Sequence, residues 1–146
     1  MNIAKMMIPK ASTICLQADD TVRQGLEMMR RHSYTAIPVL DDNGKYLGCV
    51  TEGDFLRHIL ATGTTSPKEH EKYHIENVLR KDFCPALGIM ADESDVIRSI
   101  LSQNFVPIVD DRDCLCGILT RRAVIAFLAD REGLQSFKNV VAEAYI

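Results

Sequence analysis

The stretch PVLDDNGKYLGCVTEGD, from Pro38 to Asp54, decides the fold, because the chain contains it twice. The second copy is PIVDDRDCLCGILTRRA, from Pro107 to Ala123, which aligns with the first without a gap. Each residue of the second copy lies 69 positions after its counterpart, as Pro107 does after Pro38. Self-similarity at one fixed spacing indicates two copies of the same structural unit.

The two copies agree in proline, in two consecutive aspartates, in glycine and in threonine. They also agree in hydrophobic character at the positions between. A match of this density at one offset is not expected by chance, so we infer a duplicated supersecondary unit. The identical pairs are Pro38/Pro107, Asp41/Asp110, Asp42/Asp111, Gly48/Gly117 and Thr51/Thr120.

Hydrophobic periodicity around the first copy predicts a β-α-β-β-α order. The Asn43-Gly44 pair fits a hairpin turn, because both residues tolerate the positive φ values that such turns need. The predicted elements are a strand at 13–16, a helix capped by Asp19-Asp20 and reaching Arg30, strands at 35–40 and 46–50, and a helix that Thr51 caps and whose apolar face is Phe55, Leu56, Ile59 and Leu60.

The second copy follows the same order, with a lead-in at 84–87, a helix around residues 96–101, strands at 105–109 and 115–119, and a helix after Thr120. The fold class is therefore α/β (α+β). The predicted boundaries are repeat 1 at residues 1–62, a polar linker at 63–74, repeat 2 at 75–131 and a C-terminal amphipathic helix at 132–146.

Composition limits the function classes. The chain has 146 residues, a formal net charge of −3 and no long basic block, which argues against a nucleic-acid partner. No apolar run approaches the ~20 residues of a membrane span, and the N-terminus lacks signal-peptide features, so we expect a cytoplasmic protein. Five cysteines, odd in number, fit free thiols in a reducing compartment.

The residues show no chemistry of an enzyme or of a metal centre. Cys114 and Cys116 form a C-x-C, but further cysteines or histidines at ligand spacing do not accompany them. Nucleotide-binding glycine loops and nucleophile motifs are absent. We therefore expect no catalytic residue, no cofactor and no metal.

The repeated pattern resembles the CBS domain (named after cystathionine β-synthase). In that family a strand ending in h-P-V-h-D, where h is hydrophobic, is followed by a turn and by G-h-h-T-x-x-D opening a helix. The first copy matches throughout, from Ile37 to Asp54. The second copy has Ile108 in place of the valine and loses the final aspartate to Ala123. The segment 34–41, with Gly117 to Arg122, is also similar to small stand-alone bacterial CBS pairs that bind cyclic di-AMP.

This resemblance implies two CBS repeats packed as a pseudo-twofold pair, with two clefts that each take residues from both repeats. In the family, backbone groups and small side chains hold adenine, an aspartate holds ribose, and helix starts with basic residues hold phosphate. Carried over, cleft A is Ser12, Thr13, Ile14, Leu16, Tyr34, Thr35, Ala36, Ile37, Pro38, Thr120, Arg121 and Arg122. Cleft B is Cys84, Ala86, Asn104, Phe105, Val106, Pro107, Thr51 and Asp54.

The two helix starts differ in charge. Glu52 and Asp54 suit the positive end of the helix dipole after Thr51, whereas Arg121 and Arg122 oppose it by a few tenths to about 1 kcal/mol each. Either the two arginines are simply exposed or an anion normally lies beside them. We favour phosphate binding at Arg121 and Arg122, and a less phosphorylated ligand in cleft B.

Several other assignments stay open. Pro38 and Pro107 interrupt strand pairing, which fits an edge strand, backbone groups that face adenine, or both. Thr35 and Ala36 fit close approach of a base or plain strand packing. Tyr34 fits stacking on a base or a half-buried ring.

The resemblance predicts a regulatory protein that binds an adenine nucleotide, cyclic di-AMP above all, with AMP, ADP or ATP as other candidates. We expect a homodimer whose ligand controls an unidentified partner protein. One alternative is a dimerisation or interaction scaffold with degenerate clefts, which the loss of aspartate at Ala123 motivates. Another is a binder of S-adenosylmethionine or a related adenosyl ligand, for which Asp54 would matter more.

Overall fold

The structure, a computed structural model, describes residues 1–134, in which two compact units form. The middle unit is Ile14–Phe83, and the terminal unit combines Met1–Thr13 with residues 84–134. Both mix helices with one β-sheet, which confirms the predicted α/β class. The proposed C-terminal helix falls mainly on residues outside the described part. No helix within residues 1–134 is long and apolar enough to cross a membrane.

The middle unit is built on a sheet in the order β2-β3-β4. Strand β2 runs parallel to β3, which pairs antiparallel with β4. Its core consists of buried apolar side chains, among them Leu16, Ile37 and Ile75. The elements are β2 (Leu16–Gln17), α2 (Val22–His32), β3 (Ala36–Leu40), β4 (Tyr46–Thr51), α3 (Glu52–Thr62), a 3-10 turn at Glu69–Lys72 and α4 (Ile75–Val78).

The terminal unit has a four-stranded sheet in the order β1-β7-β6-β5. Its own core includes Val106, Ile108 and Leu119. The elements are α1 (Ile3–Met6), β1 (Ile8–Pro9), a 3-10 turn at Lys10–Ser12, β5 (Leu87–Gly88), α5 (Glu93–Ile100), β6 (Phe105–Val109), β7 (Leu115–Thr120) and α6 (Arg121–Arg131).

The segment before each repeat packs on the hairpin of the other repeat. Strand β1 pairs with β7 through Ile8 and Ile118, and Arg80 forms the corresponding bridge to Cys49. A Cβ on Gly117 would lie 2.2 Å from the carbonyl oxygen of Ile8, so only glycine permits this approach. The compact units thus differ from the sequence repeats, whose boundaries at 1–62 and 75–131 remain a prediction.

The duplicated aspartates shape the hairpin turns. Asp41 Oδ1 accepts hydrogen bonds from the backbone N–H groups of Asn43 and Lys45, at 2.8 and 2.9 Å. Asp110 Oδ1 accepts the corresponding bonds at 2.8 and 3.0 Å, and these bonds lower the pKa of Asp110. The positive φ falls at Gly44 in the first turn and at Asp113 in the second, so the predicted turns are confirmed.

Three local predictions are corrected. The strand expected at 13–16 begins only at Leu16, because Thr13 instead closes the preceding 3-10 turn through its N–H bond to the Lys10 carbonyl. The cap of α2 is Thr21, which forms a capping box with Gln24, rather than Asp19-Asp20. The segment 63–74 is more than a polar linker, because it places His70, which is fully buried, in the middle unit.

Candidate functional site

The start of α3 is organised around the buried carboxylate of Asp54. The Thr51 hydroxyl accepts the Asp54 N–H, while Asp54 Oδ2 accepts the N–H and the hydroxyl of Thr51 at 2.8 and 2.9 Å. This reciprocal capping box confirms that Thr51 caps the helix. The side chain of Asp54 is only 1% exposed.

Two arginines complete the surroundings of Asp54. Arg57 Nη2 and Arg80 Nε each donate to Asp54 Oδ1 at 2.7 Å. Arg80 also lies over the ring of Phe83, with its guanidinium carbon 4.0 Å from the ring centroid. The sequence motif gave no sign of these arginines, because Arg80 reaches Asp54 from 26 residues further along the chain. The α3 start therefore carries basic groups after all.

This arrangement bears on the predicted ribose contact of Asp54. Each carboxylate oxygen already accepts two hydrogen bonds from the protein. A ribose hydroxyl would have to displace one of the arginines to reach it. The ribose role of Asp54, and the adenosyl alternative that depends on it, stay predictions.

The start of α6 has a simpler cap. Thr120 is buried, and its hydroxyl accepts the N–H of Ala123 at 3.0 Å. Ala123 is buried too and cannot return the bond, so this helix has no reciprocal capping box. The departure from the family pattern at Ala123 thus removes the reciprocal bond of a capping box and a polar side chain, while the Thr120 cap remains.

The two arginines of α6 are placed differently. Arg121 is half-buried, and its Nε donates to the carbonyl oxygen of Ile100 at 2.7 Å. Ile100 ends α5, where a cation is favoured by the dipole of that helix. Arg122 is exposed and has no ion pair or hydrogen bond with other described residues. Arg121 therefore has a structural role. The unfavourable interaction of the Arg122 charge with the dipole of α6 is not offset by any contact within residues 1–134.

The β3 and β6 strands begin in the same way. The carbonyl of Thr35 accepts the N–H of Glu52 at 3.0 Å, and the carbonyl of Asn104 accepts the N–H of Arg121 at 2.8 Å. Each strand start is thereby fixed to the first residue of the helix that follows the hairpin. Both residues are exposed, so their side chains remain accessible beside the helix start.

The prolines lie in central strands, so the edge-strand interpretation was wrong. Strand β3 lies between β2 and β4, and β6 lies between β5 and β7. Parallel pairing begins at Val39 and Ile108, one residue after Pro38 and Pro107. The parallel strand does not yet pair with the chain at the position of either proline, so the missing N–H of Pro38 or Pro107 breaks no hydrogen bond of the parallel ladder.

The remaining cleft A residues divide between exposed and buried positions. In the middle unit, Leu16 and Ile37 pack in the core, Pro38 is buried, and Ile14 and Ala36 are half-buried. Tyr34 is half-buried and its ring stacks on His32, with centroids 5.3 Å apart. In the terminal unit, Ser12 is exposed, and the buried Thr13 donates its hydroxyl to the Pro9 carbonyl at 2.9 Å.

The cleft B residues of the terminal unit are held by a glutamine that sequence reasoning missed. Gln103 Nε2 donates to the carbonyl oxygens of Pro85 and Phe105, at 3.1 and 3.2 Å. It thereby fastens the lead-in segment, with buried Cys84 and half-buried Ala86, to the start of β6. Phe105, Val106 and Pro107 are buried, so the exposed Asn104 is the member of this set with an open side chain.

Metal ligands were also sought among the described residues. Within residues 1–134 no three His, Cys, Asp or Glu side chains form a group that would hold a metal ion. The five cysteines, all within residues 1–134, form no disulfide bond with one another. Burial raises the pKa of Cys116 above its ordinary value, which disfavours the thiolate form.

The duplicated hairpins that each lead into a capped helix define a tandem-repeat α/β protein. The chain belongs to the CBS domain family, whose model matches residues 4–61 and 88–130. A solved structure of CbpB from Listeria monocytogenes in complex with c-di-AMP is similar, with a TM-score of 0.80 and 24% identity, over 92% of this chain and 100% of that chain. CBSX2 in complex with AMP gives a TM-score of 0.72 and 21% identity, over 90% and 98%.

Sequence comparison adds relatives of two kinds. Cyclic di-AMP receptor B of Bacillus subtilis is 24% identical over 123 residues, which are 84% of this chain and 83% of that protein. Inosine-5'-monophosphate dehydrogenase of Methanocaldococcus jannaschii is 26% identical over 113 residues, 77% of this chain. The chain spans only 21–24% of the length of the first curated relatives that it matches. The predicted CBS pair is thereby confirmed.

Proposed function

We propose that this chain is a non-enzymatic regulatory protein that binds an adenine nucleotide, with cyclic di-AMP as the first candidate and AMP, ADP or ATP as the others. The observation that carries the proposal is Arg122, an exposed cation in the first turn of α6 without a partner among residues 1–134. A phosphate beside it would turn an unfavourable charge at a helix start into a charge-assisted contact.

The relatives support this ligand class. Cyclic di-AMP receptor B covers 84% of the chain, and the CbpB and CBSX2 structures that share the fold hold c-di-AMP and AMP. The exposed Thr35 and Ser12 side chains are open to a ligand, which fits their place in the predicted cleft A. We assign phosphate recognition to Arg122, with Arg121 positioned nearby by its bond to Ile100.

Calorimetric titration of the purified chain with cyclic di-AMP, AMP, ADP and ATP tests the proposal directly. We expect saturable binding of at least one nucleotide below high-micromolar concentration, with weaker binding at high salt because phosphate contacts are screened. Adenosine serves as the control ligand without phosphate. Absence of binding by all four nucleotides would contradict the proposal.

Regulation of a partner is the second part of the proposal. We propose a homodimer whose nucleotide state changes its affinity for another protein, which requires different contacts in two states. Light scattering with and without nucleotide measures the assembly, and a monomer under both conditions would contradict the homodimer.

A ligand-free interaction scaffold is the second candidate function. Exposed leucines on α3 favour it, because Leu56 and Leu60 are 58% and 72% exposed in a helix whose apolar face was expected to be covered. A thermal-shift panel discriminates the two candidates. A nucleotide at 100 times its dissociation constant should stabilise the fold by about 2.7 kcal/mol, whereas a scaffold shows no shift.

A further inference from the structure

Two histidines in the middle unit leave buried nitrogen atoms without hydrogen-bond partners. His70 is fully buried, and its Nε2 lies 2.8 Å from the carbonyl oxygen of Thr64. Because a carbonyl oxygen only accepts, this nitrogen carries the hydrogen, and Nδ1 of neutral His70 is left as an acceptor. Within residues 1–134, neither His70 Nδ1 nor His58 Nε2 has a partner.

The two rings connect different parts of the unit. His58 lies on α3, one turn after Asp54, while His70 lies in the 3-10 turn at Glu69–Lys72. Their ring centroids are 5.2 Å apart, and Tyr73 packs its ring edge-on against His58 at 4.7 Å. The ring cluster therefore holds residues 64–73 against the helix whose first turn carries Asp54.

Several charges on the neighbouring elements are already paired, whereas Glu52 at the start of α3 forms no ion pair with the described residues. On the 3-10 turn, Glu69 pairs with Lys72 and Glu71 with Arg23 of α2, which also pairs with Glu27. On α3, Arg57 pairs with Asp54. On α4, which also packs against α3, Glu76 is exposed and forms no ion pair with the described residues. No acid within residues 1–134 forms a hydrogen bond or an ion pair with either orphan nitrogen.

We propose that the His58–His70 pair is a proton-responsive joint, which fastens residues 64–73 to α3 when the His58 imidazole is neutral and releases them on acidification. A proton on the orphan Nε2 of His58 places a charge in a buried environment beside a second imidazole. Opening the segment returns that charge to water. The joint lies in one unit and does not depend on the proposed nucleotide.

The direction follows from the linkage of protonation to opening. Burial lowers the pKa of His58, and the neighbouring His70 lowers it further. The open state therefore binds the proton more tightly, and the closed state loses stability as the pH falls below the ordinary histidine pKa of about 6.5. At pH 5.5 the opening equilibrium rises by up to about tenfold when His58 is neutral in the closed state and charged in the open state.

Hydrogen exchange followed by mass spectrometry tests the joint, with rates corrected for the pH dependence of chemical exchange. The amides to follow are those of His70 and Glu71, which bond to the carbonyls of Ser66 and Lys68. We expect several-fold faster exchange of the 64–73 segment at pH 5.5 than at pH 7.5. The double variant His58→Phe, His70→Gln retains a ring and a donor for Thr64 but cannot titrate, and should show no such change.

His32→Gln is the matched control, because this histidine lies outside the cluster and stacks on Tyr34. It should keep the wild-type pH response. Equal corrected rates at the two pH values in the wild type, or an unchanged response in the double variant, would overturn the proposal. If the double variant does not fold, NMR titration of the wild type decides: Tyr73 ring signals must shift together with His58, and independent titration overturns the joint.

Discussion

Replacing Arg121 and Arg122 one at a time should separate a structural arginine from a ligand-binding one. Arg121→Ala removes the 2.7 Å bond from Nε to the Ile100 carbonyl, a charge-assisted contact worth roughly 1.5–3 kcal/mol. It also removes a cation from the start of α6, which returns about 0.3–1 kcal/mol. We therefore expect the free energy of unfolding to fall by about 1–2 kcal/mol.

Arg122→Ala should behave in the opposite way. The side chain is exposed and unpaired among residues 1–134, so its removal breaks no observed contact. Alanine and arginine have similar helix propensities, and the loss of a cation from the first turn stabilises the helix by about 0.3–1 kcal/mol. Nucleotide affinity, in contrast, should fall by about 10- to 100-fold, as expected for one phosphate contact of roughly 1.5–3 kcal/mol.

Urea denaturation measures the free energy of unfolding, and calorimetric titration with cyclic di-AMP measures the nucleotide affinity. Arg112→Ala is the matched control, since it removes an exposed cation of the same unit from a hairpin turn and should change neither quantity appreciably. An Arg122→Ala variant with wild-type affinity would refute the phosphate assignment. An Arg121→Ala variant of wild-type stability would refute the structural role assigned to its bond.

Three further predictions concern stability. Gly117→Ala should lower the free energy of unfolding, measured by urea denaturation, by about 1–3 kcal/mol or more, because its Cβ would lie 2.2 Å from a β1 carbonyl oxygen. Gly88→Ala should be nearly neutral, because its Cβ meets no atom of the described residues within 4 Å. Asp54→Asn should lower the free energy of unfolding by about 2 kcal/mol, because it leaves two half-exposed arginines without their carboxylate. Asp95→Asn, the control, loses only a surface ion pair and should lower the free energy of unfolding by under about 1 kcal/mol. The fold lowers the pKa of Asp110, so its ionised side chain stabilises the folded state above the unfolded pKa of about 3.9, and this stabilisation is lost as the pH falls further. Asp110→Asn should therefore reduce the loss of thermal stability at acidic pH. An unchanged pH dependence of the melting temperature in this variant would contradict the prediction.

The hairpins were predictable from sequence because their requirements are local. Asp41 and Asp110 each serve backbone groups two and four residues away, and Thr51 and Thr120 cap the residue three positions on. Such contacts recur at fixed spacing, so a duplication preserves them and an alignment of the chain with itself reveals them. The order of elements and the two helix starts followed from this.

The partners of the helix starts could not be predicted in the same way. Arg80 contacts Asp54, and Arg121 contacts Ile100, across 26 and 21 residues. Neither spacing is set by a helix or a strand, and both depend on how segments pack after the elements form. The sequence therefore predicted correctly that the two helix starts carry different charges in their own first turns. It did not predict that arginines from other positions also lie beside the start of α3.

The exchange of leading segments means that a fragment cut at the repeat boundary loses part of its core. Ile75 precedes the second hairpin in sequence yet is fully buried in the core of the middle unit, where its Cδ1 would lie 2.6 Å from a Cβ added to Gly25. A fragment of residues 1–62 would lack Ile75 and His70 and expose the surfaces they cover, at roughly 1.5–3 kcal/mol for the isoleucine alone. Losses of that size are comparable with a large part of the 5–15 kcal/mol that typically stabilises a domain. The segment 63–83, which the sequence places between the two copies of the motif, is thus required for the stability of the middle unit.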